Sequence, residues 1–180
     1  QKTAYEITYG DWSSDVCSSD LQLIMLYPNA VASLNPETGK AYWSIPYEAT
    51  NGSVIMTPLV SGEFLFCAGY SNKAMVLKLS SEKPSAELVW SNKKKHGISP
   101  VNVQPFMDGS TLYGCDQDGV LYAVEIPTGA RLWGTPAPIS KRALGSGTAF
   151  IVKQADRYWL FNEKGEIVIA KDRKSTRLNS

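Results

Sequence analysis

The sequence of 180 residues has no long apolar run, only one histidine and only three cysteines. Its longest apolar stretches, such as residues 23–27 and residues 63–68 with their one acid, have the length of strands and fall far short of the ~20 residues that a membrane-spanning helix requires. The net charge is +1, so we expect no nucleic-acid partner and no strong attraction to an anionic membrane. No segment of ten or more residues has the apolar periodicity of an amphipathic helix. The sequence therefore predicts a chain without helices and without a membrane span.

Residues suited to catalysis or to metal binding are equally scarce. His96 is the only histidine, so no serine or cysteine has an identifiable base beside it, and no cluster has metal-ligand spacing. Residues 116–119 resemble the opening of a Ca²⁺ loop, but Pro127 stands where such a loop needs its glutamate. We interpret residues 116–119 as a hairpin turn. The chain is therefore expected to hold no catalytic, cofactor-binding or metal-binding residue.

The two ends of the chain differ in character from the rest. Back-translation of residues 1–7, 11–21 and 172–180 gives stretches similar to the index-adapter oligonucleotides of short-read sequencing, and the second and third are near complements. Two natural tails have no protein-level reason to be near complements. We therefore predict that residues 1–21 and 172–180 are adapter-derived and that residues 22–171 are the protein. The alternative is a natural Ser/Asp-rich tail at one end and a basic tail at the other.

An internal repeat organises the remaining residues. Trp43, Trp90 and Trp133 follow one another at spacings of 47 and 43 residues, and Pro58 recurs 47 residues later as Pro105. Each unit contains short runs rich in Val, Ile, Phe and Tyr, separated by turn signals such as Asp-Gly and Thr-Gly. Four such strands in a unit of about 45 residues predict the blade of a β-propeller.

The predicted fold is all-β, a partial β-propeller of four-stranded antiparallel blades with about three to four blades present. The chain would contain the later strands of one blade in residues 22–47, whole blades in residues 52–93 and 100–136, and three strands of a fourth in residues 147–171. Known propellers have four to eight blades. Either four blades close through a strand donated across the ring or further blades are missing, and we favour missing blades.

Residues 33–43 and 123–133 share the pattern Asn/Glu-x-x-Thr-Gly-x-x-x-Trp. This pattern resembles the tryptophan-docking motif of pyrroloquinoline-quinone (PQQ) type, quinoprotein-like β-propeller repeats. In such a motif, turn residues bond the backbone and the tryptophan packs between adjacent blades. Two units are degenerate, and we expect Ile169 to take the tryptophan position in the last. The motif residues are Asn35, Thr38, Gly39, Trp43, Trp90, Glu125, Thr128, Gly129 and Trp133.

The resemblance implies two classes of function. One is a non-catalytic, BamB-like scaffold that binds a protein partner in the periplasm or cell envelope. The other is a dehydrogenase that holds PQQ and Ca²⁺ at the propeller axis beside two adjacent cysteines. Cys67 and Cys115 are 48 residues apart, and we interpret them as buried, unbridged side chains. We therefore favour the scaffold, without a cofactor, over the dehydrogenase and over a carbohydrate- or peptide-binding propeller.

One run of charges follows Trp90. It consists of Lys93, Lys94, Lys95 and His96. A solvated loop is the favoured interpretation, and a contact for an acidic protein partner is the alternative. Arg131, Lys141 and Arg142 are expected to be surface charges.

The adapter interpretation predicts the result of resequencing the gene from its source DNA, outward from the codons for Trp43 and Trp133. We expect other coding sequence to replace residues 1–21 and 172–180, and further Thr-Gly…Trp units to follow. Recovery of the same tails from genomic DNA would show that the adapter interpretation is wrong.

Overall fold

The structure is a computed structural model, and it describes residues 4–7, 21–91 and 95–171. The described residues form strands joined by short turns, with a single 3-10 turn at Thr50–Gly52. No helix in these three ranges is long and apolar enough to cross a membrane.

The strands of the described residues form four antiparallel sheets that follow one another along the chain. The first sheet comprises β1 (Ala4–Ile7), β2 (Gln22–Leu26), β3 (Ala30–Leu34) and β4 (Ala41–Pro46). The second comprises β5 (Leu59–Ser61), β6 (Phe64–Gly69), β7 (Lys73–Leu79) and β8 (Ala86–Ser91). The third comprises β9 (Phe106–Asp108), β10 (Thr111–Cys115), β11 (Leu121–Glu125) and β12 (Arg131–Thr135). The fourth comprises β13 (Ala149–Gln154), β14 (Arg157–Asn162) and β15 (Ile167–Lys171).

Within each sheet the strands lie side by side in chain order, because tight turns join each strand to the next. Two-residue turns join the first and second strands of the second and third sheets. Gly62 and Gly109 begin these turns with φ of 56° and 57°, in a region that glycine adopts without steric cost.

The sheets stack face to face, with a separate apolar core between each neighbouring pair. Successive side chains of a strand point to opposite faces. On β6, Leu65 and Cys67 therefore enter the core shared with the first sheet, whereas Phe66 and Ala68 enter the core shared with the third. A third core, which includes Tyr158 of β14, joins the third and fourth sheets. The second and third sheets are thus covered on both faces.

The prediction of a partial propeller built from four-stranded antiparallel blades is confirmed. The first three sheets have four strands each, and the described part of the fourth has three. The first sheet reaches four strands because β1, within residues 1–21, pairs antiparallel with β2. Residues 8–20 and 172–180 lie outside the described residues, so the division of the chain into residues 1–21, 22–171 and 172–180 stays a prediction.

The expectation that Ile169 takes a tryptophan position is wrong. Ile169 lies on the third strand of its sheet, whereas the three repeat tryptophans lie on fourth strands. The turn before β15 explains the difference. The N–H of Asn162 donates to the carbonyl of Glu166 at 3.1 Å, as the N–H of Asp116 donates to that of Val120 at 3.0 Å. This turn therefore joins second and third strands, whereas the docking motif joins third and fourth strands.

Candidate functional site

The first docking motif forms a closed turn between β3 and β4. The side-chain oxygen of Asn35 accepts the N–H groups of Glu37 and Thr38 at 3.0 and 2.8 Å. Gly39 has a φ of 70°, and its N–H donates to the Asn35 carbonyl at 2.8 Å. The asparagine thus acts as an acceptor for a turn that leads directly into the strand carrying Trp43.

The second motif forms the equivalent turn between β11 and β12 with different side-chain chemistry. Gly129 has a φ of 69°, and its N–H donates to the Glu125 carbonyl at 2.8 Å. The Glu125 carboxylate accepts the hydroxyl of Thr128 at 2.5 Å, whereas Asn35 accepts backbone N–H groups. The Thr128 oxygen also accepts the N–H of Ala130 at 3.2 Å. Glutamate therefore replaces the amide residue without changing the backbone of the turn.

The three repeat tryptophans have different surroundings. Trp90 is buried and packs against Phe66 at 6.4 Å between ring centroids. It donates its indole N–H at 2.8 Å to the carbonyl of Ile126, in the turn after β11 of the third sheet. Trp43 is partly buried, and its indole donates to Gln22 of its own sheet. Trp133 was expected to be buried between blades but is 44% exposed. The described residues therefore show the full docking geometry at Trp90.

The connection after β8 folds back onto Trp90. The His96 ring meets the Trp90 ring edge to face, with 4.9 Å between centroids, and the Gly97 N–H donates to the Gly129 carbonyl at 2.8 Å. A Cβ added to Gly129 would lie 2.2 Å from the His96 imidazole, so glycine is needed there for space as well as for φ. Since His96 is half-buried, the interpretation of this position as a solvated loop is wrong.

The remaining residues of the charge run are placed only in part. Lys95 is exposed, with a φ of 61°. Lys93 and Lys94 lie outside the described residues. The contact of this run with an acidic partner stays a prediction.

Asp116, which directly follows β10, and Arg131 of β12 form an ion pair within the third blade, with side chains 6% and 17% exposed, and both bind the connection that precedes the blade. The Arg131 Nε donates to the Gly97 carbonyl at 2.9 Å, and the Asp116 carboxylate accepts the Ser99 N–H at 2.8 Å. The guanidinium also lies 4.0 Å from the centroid of the Tyr122 ring. The expectation that Arg131 is a surface charge is therefore wrong.

Two other charged residues and the Asp-Gly turn lie where the sequence predicts, the charges at the surface and the Asp-Gly pair in a hairpin turn. Lys141 and Arg142 are exposed. The Asp118 carboxylate accepts the Val120 N–H at 3.0 Å within a hairpin turn. Across the described ranges, no group of three or more His, Cys, Asp or Glu side chains is arranged to hold a metal ion.

The two described cysteines lie in different cores and are both free. Cys67 belongs to the core between the first and second sheets, and Cys115 to the core between the third and fourth. Burial raises the pKa of the Cys115 thiol to about 11 and raises the pKa of Cys67 as well. The prediction of unbridged, buried side chains is confirmed.

The fourth sheet has an exposed apolar face that no sequence motif marked. Ala149, Tyr158 and Leu160 point into the core shared with the third sheet, and the alternate side chains point away from it. The exposed apolar residues are Phe150, Val152, Phe161, Ile167 and Ile169, with exposed fractions of 60, 62, 50, 64 and 50%. The sequence does contain a signal for this face. Successive positions are all apolar in residues 149–152 and 158–161, which is typical of strands that are covered on both faces.

The sheets stack face to face with an apolar core between neighbours, and Trp90 docks on the next sheet. This architecture defines the chain as a tryptophan-docked β-propeller. The family model PQQ_2, described as outer membrane protein assembly factor BamB, matches residues 10–135. Since the match covers more than half of the chain, the chain belongs to this family.

Many solved structures share the fold, including one natural and one designed protein. BamB from Moraxella catarrhalis is 17% identical, with a TM-score of 0.57, and the alignment covers 83% of this chain and 42% of that BamB. The computationally designed Ika4 protein is 8% identical, with a TM-score of 0.57, and the alignment covers 83% of this chain and 84% of Ika4. The chain thus spans less than half the length of the BamB that it matches. The comparison with curated proteins gives no match.

The Asp116–Arg131 pair predicts a large loss of stability when its cation alone is removed. We expect Arg131→Met to lower the free energy of unfolding by about 3 kcal/mol, because Asp116 then stays buried without its counter-charge. Lys78→Met is the matched control. Lys78 pairs with Glu63 with both side chains about half exposed, so its loss should cost less than about 1 kcal/mol.

Chemical denaturation of the two variants measures the difference. The double variant Asp116→Asn/Arg131→Met should lose less than the sum of the two single losses, because the charges disappear together. A loss for Arg131→Met no larger than that for Lys78→Met would contradict the interpretation of this pair as a buried ion pair that stabilises the third blade and the connection before it.

Proposed function

We propose that this chain is a non-catalytic, BamB-like scaffold that binds another protein in the cell envelope during the assembly of outer membrane proteins. Membership of the family described as outer membrane protein assembly factor BamB supports this proposal. The observation that carries it is the exposed apolar face of the fourth sheet, which either a further blade or another protein would cover. Such a face favours binding to a protein over catalysis on a small molecule, because it is broad and apolar.

The size of this face supports an interface. Five of its apolar side chains are half or more exposed, and together they present on the order of 500 Å². The largest apolar patch on a typical monomer is about 300–600 Å² and is often functional. The face therefore has the extent expected for the centre of a protein interface.

The alternative of a PQQ- and Ca²⁺-dependent dehydrogenase has less support in the described residues. Such an enzyme would use adjacent cysteines, whereas Cys67 and Cys115 lie in cores separated by two sheets. Asp116, the most buried carboxylate of the candidate calcium turn, is held by Arg131 and by the Ser99 N–H. These positions of Cys67, Cys115 and Asp116 support the scaffold over the dehydrogenase.

Photo-crosslinking in the source cells tests the proposal. A photoreactive residue in place of Val152, which is 62% exposed on the fourth sheet, should give an adduct with an envelope protein of the outer-membrane assembly machinery. The same residue in place of Leu88, 53% exposed on β8, is the control and should give none. The variant Val152→Glu should lower the amount of outer membrane proteins, since it places a charge in the interface.

Two results would contradict the proposed function. One is the absence of any envelope adduct from Val152. The other is saturable binding of PQQ with Ca²⁺ together with substrate-dependent reduction of a dye, which would favour the dehydrogenase.

A further inference from the structure

The sequence contains a single asparagine that precedes glycine, and the structure places this pair, Asn51 and Gly52, in the connection between the first and second sheets. Both residues are exposed. They belong to the 3-10 turn Thr50–Gly52, in which no residue is buried. The pair is therefore in contact with solvent in the folded chain, which hydrolysis of a side-chain amide requires.

Few interactions hold this turn closed. The Gly52 N–H donates to the Ala49 carbonyl at 3.3 Å, which is longer than the usual range for such a bond. The Ser53 N–H donates to the Thr50 carbonyl at 3.0 Å, and no side chain caps the start of the turn. Because the turn buries no residue, we expect its local opening to cost little free energy.

The backbone conformation of Asn51 makes such an opening necessary for any reaction between the two residues. Its φ is 54° and its ψ is 26°, in the left-handed region. With this ψ the Gly52 nitrogen points away from the Asn51 carboxamide, so the two meet only after the turn opens. The nitrogen is then unhindered, because glycine has no Cβ and a Cβ built at Gly52 would have no atom within 4 Å.

Two other asparagines show why this pair is distinct. Asn29 is also exposed, but it precedes Ala30, whose Cβ hinders attack by the backbone nitrogen. Asn72 also has a left-handed φ, of 61°, but its carboxamide oxygen accepts the side-chain amide of Gln117 at 3.2 Å. Exposure, an open turn and a following glycine thus occur together at Asn51.

We propose that Asn51 is a site of spontaneous deamidation, a modification whose co-reactants are hydroxide and water. Hydroxide removes the amide proton of Gly52, and the nitrogen attacks Cγ of Asn51 within the same chain. A new C–N bond forms, the bond from Cγ to Nδ2 breaks, and the side-chain nitrogen takes up a proton from water and leaves as ammonia. The product is a five-membered cyclic imide between residues 51 and 52.

Water then opens the imide at one of its two carbonyls. Addition at Cγ gives aspartate at position 51. Addition at the main-chain carbonyl gives isoaspartate, in which the main chain runs through Cβ and is one atom longer. Both products replace a neutral amide by a carboxylate that is ionised at neutral pH. The connection between the first and second sheets therefore gains a negative charge in both products and lengthens in one.

Incubation of the full chain at mildly alkaline pH, followed by peptide mass spectrometry, tests the modification. The peptide that contains Asn51 should gain the mass difference between an amide and an acid, and fragmentation should place the change at that residue. A pH higher by one unit should speed conversion roughly tenfold, because hydroxide removes the proton. An isoaspartate methyltransferase supplied with S-adenosylmethionine should label the incubated chain and leave the fresh chain unlabelled.

A matched pair of variants locates the chemistry. Asn51→Gln keeps a carboxamide but requires a six-membered ring, so it should slow the release of ammonia by about tenfold or more. Asn29→Gln, at an exposed asparagine without a following glycine, should leave the release unchanged. A peptide of residues 47–56 gives the rate without the folded structure, and the folded chain should react within about tenfold of that rate because the turn opens at little cost.

Two results would overturn the proposal. One is an unmodified Asn51 in the folded chain after the peptide of residues 47–56 has converted, which would show that the turn stays closed. The other is conversion of Asn29 as fast as that of Asn51, which would show that the following glycine has no part. The modification is independent of the scaffold function, so neither result bears on that function.

Discussion

The second, third and fourth sheets are apolar on both faces, and this constraint determines how the rest of the structure is assembled. An antiparallel sheet usually covers one face and leaves the other to water. On β6 the residues Leu65, Phe66, Cys67 and Ala68 are all buried, so both faces of the second sheet need a neighbour. Face-to-face stacking of further sheets satisfies this requirement, and the fourth sheet continues the same pattern with one face exposed.

Polar contacts then fix how neighbouring sheets are positioned, since apolar packing alone has little directional preference. Gln104 bonds both the N–H and the carbonyl of Thr57 across the boundary between the second and third sheets. The Trp90 indole crosses the same boundary, and the Asp116–Arg131 pair of the third blade binds the connection between the two sheets. These bonds lie around the apolar core, so they set the orientation of one blade against the next while the core supplies most of the stabilisation.

The sequence allowed the architecture to be predicted because the repeat is local. The tryptophan spacing and the Thr-Gly turns indicate four strands per unit, and the Gly39 and Gly129 turns lie where the motif predicts them. The contacts of Arg131 and His96 could not be predicted, because each depends on how the connection between the second and third sheets folds back onto the blades. The misplacement of Ile169 has a different cause, since two kinds of glycine turn look alike in sequence but join different strands.

Native-state hydrogen exchange of the whole chain tests most directly whether coverage by neighbouring sheets stabilises each blade. Amides that exchange only when the whole chain unfolds have the slowest exchange, whereas amides in strands with little covering structure exchange faster. The account predicts the slowest exchange in β6, β7, β10 and β11, which belong to sheets covered on both faces, and distinctly faster exchange in β13 to β15. Exchange in β13 to β15 as slow as in β6 and β10 would contradict it, because a sheet with an exposed face would then be as stable as one enclosed between two neighbours.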